Sequence, residues 1–384
     1  MEIVVTTFKG LEPVLAAELG QLGAEDVSIG HRAVICFGDK ELLYKINYLV
    51  RTGIKVLLPI AYFQARDPEE LYHAMRHVDF GGYLSSNGTF SIDIVCHSEY
   101  FTHEQFAMYR IKDAIVDQMK KVHGERPSID TSNPDFRLHV RISGDEITLS
   151  SDSSGDSLHK RNYKHAINVA PLNECLAAGI ILLSGWDKTT PLWDPMAGSG
   201  TIGIEAAMIA SDCPPQLLRS KFTFKKWRSF NPSLWSKVCS EAKEKIDVSS
   251  IPILMSDIDL DAVKIIRDNM ENLPFAEEVK VTRADFFDLT GQGETLVFNP
   301  PYDQRMRVDD IHEFYSNIGD HMKKYFTGST AWIFSSQLDA LKSIGLKTGR
   351  KIPLFNGPLD SRLCRYDLFA GSHKVLKQQA NSTD

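Results

Sequence analysis

No apolar run in the 384 residues approaches the ~20 that a membrane-spanning helix requires, so a membrane protein of that kind is not expected. The opening stretch MEIVVTTFKG lacks a cationic start, an apolar core and a small-residue cleavage site, and is expected to form a first β-strand, not a signal peptide. Six cysteines (Cys36, Cys96, Cys175, Cys213, Cys239 and Cys364) are scattered with no C-x-x-C pair. That spacing fits neither a zinc site nor a disulfide framework and predicts reduced thiols in a cytoplasmic protein. A large positive charge is missing too: the formal net charge is -7. Nucleic-acid binding would therefore need a local basic stripe. What remains, 43% apolar and 24% charged residues, is ordinary for a globular protein of two or three domains.

Residues 1–64 predict a ferredoxin-like unit: a strand over Glu2–Thr7, a helix over Leu11–Leu22, strands over Val27–Phe37 broken at Gly30, a helix over Leu42–Val50 and a strand over Lys55–Tyr62. Residues 65–165 predict a second α+β block. Its elements are a helix over Glu69–Met75, a strand over Thr89–Cys96, a helix over Glu104–Val122, and a hairpin of Phe136–Ile142 with Glu146–Ser150. Strands and helices alternate over residues 166–371, the pattern of a mostly parallel sheet flanked by helices. Its expected strands are Thr190–Asp194, Ile253–Asp257, Val279–Ala284, Thr295–Asn299, Thr330–Ser335, Lys347–Ile352 and Arg365–Ala370. Its helices are expected to start near Pro171, Thr201, Asp259, Asp309 and Ser336. The polar residues 372–384 are expected to be a disordered tail.

Asp194-Pro195-Met196-Ala197-Gly198-Ser199-Gly200-Thr201 joins the first of these strands to a helix. Glycines permit a tight turn and close approach of a ligand to the backbone. Gly198 to Gly203 formally matches G-x-G-x-x-G, but two features disfavour a dinucleotide. Asp194 would repel a pyrophosphate, and the next strand-end acid, Asp257, lies well beyond the ~20 residues a dinucleotide site expects. An acidic loop instead complements S-adenosylmethionine (SAM), which carries an ammonium and a sulfonium.

Asp257, followed by Ile258, is placed to accept from ribose hydroxyls, while Asp259 or Asp261 suits a helix cap. The run Asp257-x-Asp259-x-Asp261 hints at a calcium loop, but its sixth position is Ala262 and its twelfth Asp268, so no metal is expected. Asp285 and Phe286 could hold an adenine, the first by accepting from its amine and the second by packing on the ring.

Asn299-Pro300-Pro301-Tyr302 ends the fourth strand. Two prolines stop the strand and stiffen the turn. A base amine is a poor nucleophile because its lone pair is delocalised into the ring. Acceptance of its two hydrogens by the Asn299 side-chain oxygen and the Pro300 carbonyl favours the pyramidal nitrogen that can attack a methyl group. Tyr302 offers a flat face to an extruded base.

On these residues 170–371 resemble a class I (Rossmann-like) methyltransferase of the amino-methylating group. Asp194–Thr201 matches its cofactor loop, Asp257 its ribose acid, Asp285 and Phe286 its adenine loop, and Asn299–Tyr302 its catalytic motif, with Asn299 also expected among the cofactor contacts. Residues 60–165 resemble a THUMP domain that ends in Asp152–Tyr163 (DSSGDSLHKRNY). With the ferredoxin-like start, the layout resembles the RlmL-type methyltransferases. That resemblance implies SAM as cofactor and the exocyclic amine of a guanine in 23S ribosomal RNA as target. The same layout also serves a tRNA guanine methyltransferase. One departure is Asn162, where the family has glycine in Lys-Arg-Gly-Tyr; asparagine tolerates the left-handed geometry such a turn needs. The tetrapeptide itself leaves open an adenine target, as in DNA, or a glutamine side chain in a protein; a further alternative is an RNA-binding assembly factor without catalysis, against which the intact Asn299–Tyr302 turn argues. Oligomeric state is not legible.

Two basic segments are the expected RNA contacts. One carries Lys160, Arg161, Tyr163 and Lys164. The other, Arg219–Arg228, carries Lys221, Lys225, Lys226 and Arg228, with Phe222, Phe224 and Trp227 expected in a core. Gly155-Asp156-Ser157-Leu158 spells a hydrolase motif, for which Asp309 and His312 could supply partners. A serine in a connector ahead of the main sheet is a poor place to assemble a base and an oxyanion hole.

Overall fold

The computed structural model describes residues 1–85, 87–164, 172–301 and 308–369, without the side chains of residues 308 and 309. In chain order the first elements are β1 (Glu2–Thr6), α1 (Glu12–Gln21), β2 (Glu25–Gly30), β3 (Ala33–Phe37), α2 (Lys40–Leu49) and β4 (Lys55–Gln64). Then come α3 (Pro68–Met75), β5 (Thr89–His97), α4 (Glu104–His123), β6 (Ser128–Ile129), β7 (Phe136–Ser143) and β8 (Glu146–Asp152). They are followed by α5 (Glu174–Ser184), β9 (Leu192–Asp194), α6 (Thr201–Ala210), α7 (Pro232–Lys243), β10 (Ile253–Asp257), α8 (Leu260–Met270) and β11 (Lys280–Arg283). The last are β12 (Thr295–Phe298), α9 (Val308–Tyr325), β13 (Thr330–Ser335), β14 (Thr348–Asn356) and β15 (Leu359–Asp367). Among the described residues no helix is long and apolar enough to cross a membrane.

The chain divides into two compact units. The first comprises Met1–Thr7, Leu15–Lys160 and Arg219–Glu241. Its eight strands form one sheet in the order β2-β3-β1-β4-β8-β7-β5-β6. β4 makes the continuity: its first residues pair with β1 and the rest of it with β8. One core packs α3 and α4 on the sheet through Leu71, Ile111, Leu138 and Val140. A second gathers Leu15, Tyr44, Ile46 and Val56 with Phe222 and Phe224, so those two aromatics are core as expected. The basic segment after Arg219 thus folds with the first unit, although it lies in the stretch expected to be methyltransferase.

The second unit comprises Phe8–Val14, Arg161–Leu218 and the chain from Ala242. Its seven-stranded sheet runs β11-β10-β9-β12-β13-β15-β14. β9 to β13 are mutually parallel, and β15 is antiparallel to both its neighbours. Alternation along the strands feeds two cores: Val297, Trp332 and Met255 join α5, α6 and α8 on one, while Leu296, Phe298 and Ile333 join α9 on the other. The helix expected from Ser336 is instead a short 3-10 helix, Ala340–Ile344, stopped by Gly345 at φ +68°. The last strand lies earlier than expected and closes a hairpin with β14 around Gly357.

Candidate active site

Chain direction places the site. From β9 the chain moves outward to β10 and β11, then returns to the far side of β9 as β12. The carboxyl ends of β9 and β12 therefore flank the point where strand order reverses, where open α/β sheets bind ligands.

Asp194 ends β9, and the glycine loop follows. Gly198 and Gly200 take φ +54° and +80°, conformations other residues rarely adopt. The Gly200 N–H donates to the Ala197 carbonyl (2.7 Å) and closes the turn. Ala197 N–H donates to the Ser256 carbonyl (3.0 Å), and the Asn269 side-chain amide of α8 donates to the Ser199 carbonyl (3.1 Å). Ser199 and Thr201 hydroxyls lie 3.2 Å apart. Gly203 is required by packing and not by its φ, because a Cβ there would lie 2.3 Å from Met255 Sδ; glycine lets α6 sit directly on β10. Pro195 and Thr201 bound the loop at the strand end and the helix start.

The Asp194 carboxylate is buried and its Oδ1 has no hydrogen-bond partner among the described residues. Burial drives its pKa well above the ordinary value near 3.8; the charge of Asp257 adds to this, against the backbone N–H groups of Met196 and Gly203. Asp257 itself is tied to the loop: Oδ2 accepts from Gly198 N–H (2.8 Å) and Oδ1 from Asp259 N–H (2.9 Å). Asp259 caps α8 by accepting from Asp261 N–H, as anticipated. Ile258 between them is 59% exposed, an uncovered apolar side chain beside the acid.

Asp285 opens a 3-10 turn and accepts from Phe287 N–H (3.0 Å). Here one expectation is corrected. Phe286 is only 3% exposed and packs among Phe298, His321 and Phe326, so its ring is unavailable to an adenine. Phe287, 37% exposed, is the ring facing out. Apolar contact drew the first phenylalanine into the core under α9.

At the end of β12, Asn299 Oδ1 is buried without a hydrogen-bond partner among the described residues, Pro300 is buried and Pro301 is exposed. Tyr302 lies outside the described residues. The strand-end edge thus carries two buried oxygens without partners, on Asp194 and Asn299. Such groups cost about 1–3 kcal/mol each when left unsatisfied. A ligand offering donors to both would recover that energy.

The basic segments divide differently from expectation. Arg161 and Tyr163 are fully buried, bonded to Glu205 at 3.4 and 3.2 Å, and hence are not a surface for RNA. Lys164 is nearly buried and pairs with Glu174 (3.1 Å). Lys225 is half-buried over the rings of Phe222 and Trp235 and donates to the Ser220 carbonyl, with its pKa lowered by burial. Lys226 ties to the Asn133 and Pro134 carbonyls and to Asp135. Lys160 and Lys221 are at the surface, as is Arg228, whose guanidinium reaches the Ser85 hydroxyl at 3.2 Å. Sequence reading did not single out Arg219, which donates to the carbonyls of Ser154, Asp156 and Ser157 and locks the connector down. Ser157 of the hydrolase-like motif bonds His159 (2.7 Å) two residues on, a local turn, and His312 bonds Ser343 instead.

Residues 2–57 match the RlmL ferredoxin-like domain, 65–152 the THUMP domain and 161–365 the RMKL-like methyltransferase domain. The chain is 36% identical to the ribosomal RNA large subunit methyltransferase K/L of Syntrophotalea carbinolica, over 96% of this chain and 54% of that protein. It is 34% identical to a Synechocystis sp. protein provisionally named an RNA methyltransferase, over 95% of this chain and 96% of that protein. Among solved structures, SMU.472 complexed with SAH superposes with a TM-score of 0.86 at 27% identity, over 97% of this chain and 99% of that one. The chain spans about half the length of the K/L relatives it matches. The expected class I methyltransferase fold, preceded by ferredoxin-like and THUMP domains, is borne out. With its methyltransferase match covering residues 161–365 and a relative matched nearly end to end, the chain belongs to the RMKL-like methyltransferase domain family.

Proposed function

We propose that this chain is a cytoplasmic enzyme that methylates the exocyclic amine of a guanine in 23S ribosomal RNA, with SAM as methyl donor. The observation that carries it is the Asn299 Oδ1, buried and without a partner among the described residues at the end of β12, across the strand-order reversal from the similarly unpartnered Oδ1 of Asp194. The match to a THUMP domain and the names of the K/L relatives support RNA as substrate.

The residues present fit the cofactor. Asp194 Oδ1 is a buried oxygen without a partner among the described residues, on a carboxyl whose pKa burial and the charge of Asp257 push up; an ammonium group there would satisfy it and favour the charged form. The backbone of Pro195, Ala197, Gly198, Ser199, Gly200 and Thr201 gives a close approach that a Cβ at Gly198 or Gly200 would strain. Asp257 has lone pairs beyond those used by Gly198 and Asp259 and lies where ribose hydroxyls would donate; Ile258 and the outward Phe287 give apolar cover for a purine, with Asp285 beside them. When bound, SAM supplies an electrophilic methyl on a sulfonium.

The catalytic work falls to the turn. Asn299 Oδ1 and the Pro300 carbonyl accept the two amine hydrogens, localise the nitrogen lone pair and fix its direction. The prolines deny the turn its usual backbone hydrogen bonds and hold those acceptors in place before substrate arrives. Tyr302 stacks on the flipped base.

Asn299→Ala tests this. It should lower methyl transfer to RNA about 100-fold or more, in line with loss of one preorganised oxyanion-hole-type partner, and leave RNA affinity within about twofold. Unchanged turnover would refute the assigned role.

A further inference from the structure

At Arg161, where the chain enters the second unit, four residues form a strap that turns its polar groups into the protein. Arg161 Nε and the Tyr163 hydroxyl both donate to the same buried oxygen, Glu205 Oε1, at 3.4 and 3.2 Å. Asn162 between them sits at φ +69°, the reversal that points both neighbours at one carboxylate. Lys164 Nζ donates to the Leu172 carbonyl (3.0 Å) and pairs with Glu174 in the first turn of α5. Glu205 stands on α6, four residues after Thr201, which directly follows Gly200.

The location matters because the glycine loop runs directly into the first turn of α6, so the rotation of that helix sets where the end of the loop lies. Gly198 and Gly200 have little steric restraint, and no side chain caps α6 at Gly200. The rest of α6 is held by Ile202, Ile204, Ala206 and Ala207, whose apolar contacts are non-directional and permit small rotations. A buried carboxylate held by two donors is directional and fixes that rotation.

We propose that Arg161, Tyr163 and Glu205 are positioning residues that hold the first turn of α6, and through it the glycine loop, in the form that binds the cofactor. The proposal rests on the glycine loop being the SAM site. It makes the strap a determinant of cofactor affinity that acts through α6, from three side chains buried in the protein.

The test uses the full chain. Tyr163→Phe removes one hydroxyl and keeps the ring; Glu205→Gln keeps the shape and removes the charge. SAH binding is measured by calorimetry, with exchange of the 198–203 amides and the KM for SAM beside it. A core variant away from the strap, Ile344→Val, gives the reference for general destabilisation. The expected result is SAH binding weakened about 3- to 30-fold in Tyr163→Phe. Faster 198–203 exchange should accompany it, with KM raised, kcat at saturating cofactor kept, and Ile344→Val binding SAH as the wild type does. Unchanged SAH affinity in both strap variants, or an equal loss in Ile344→Val, would overturn the positioning role. A wild-type chain that fails to bind SAH would overturn the underlying assignment of the loop instead.

Discussion

Replacement of Asp194 by Asn should strengthen the empty protein and weaken the loaded one, an opposition that few other mechanisms produce. Asp194 is buried, its Oδ1 lacks a partner, and burial raises its pKa well above 3.8. A raised pKa means that the folded state prefers the protonated form. The stability this group contributes is therefore fully present below its unfolded value and is lost as pH rises through the folded value. Asn has no proton to lose, so the variant gains on the wild type over that same interval. The gain is limited because the new amide donor takes the place of Oδ1 and is itself without a partner. A net of about 1 kcal/mol is expected, because above the unfolded value the variant no longer has to keep a proton or a charge on a buried carboxyl. For a unit of this size that is roughly 2–4 °C in melting temperature. Against this, loss of a charge-assisted contact to an ammonium removes about 1.5–3 kcal/mol of binding, or about 10- to 150-fold in the SAH dissociation constant. Melting curves with and without SAH from pH 5 to 8.5, plus calorimetry at pH 7.5, measure both arms. A variant that melts lower without ligand and binds SAH like the wild type would refute the role of this carboxylate.

Gly203→Ala should lower stability by about 1–2 kcal/mol in denaturant unfolding. The Cβ would fall 2.3 Å from the sulfur of fully buried Met255, and overpacking of about 1–3 kcal/mol exceeds the helix-propensity gain of up to about 1; an unchanged midpoint would mean that α6 can lift off β10 freely. Asn162→Ala should cost about 1 kcal/mol by forcing alanine into the left-handed region at φ +69°, whereas Asn162→Gly should be tolerated. Equal stability of all three would argue against that reversal.

Much of the fold was legible because its signals are local. β10 and β13 fall where expected, since each is a short buried run with a clear end. The glycine loop was legible because the need for positive φ at Gly198 and Gly200 is written in residue type alone, and the same logic anticipated a left-handed Asn162. Long-range pairing was harder. β15 alternates charged and apolar residues, and only its hairpin with β14 fixes its start at Leu359. α7 was not anticipated: its apolar residues Leu234, Trp235 and Val238 find their partners in the core around Tyr44, nearly 200 residues earlier in the chain. Arg161 and Tyr163 looked like surface cations and stacking rings because their partner, Glu205, lies 44 and 42 residues away. Phe286 and Phe287 are adjacent and chemically identical, so only packing against Phe298 and Phe326 decides which ring is buried.

The most direct measurement incubates the full chain with methyl-labelled SAM and ribosomal RNA from a strain lacking the enzyme, with Asn299→Ala in parallel, then digests the RNA and separates its nucleosides. The expected result is label in guanosine methylated on its exocyclic amine, in the 23S fraction, with the Asn299→Ala signal at least about 100-fold lower. Label only in tRNA or in adenosine would correct the target; an absence of label in RNA, or equal label in the variant, would contradict the account.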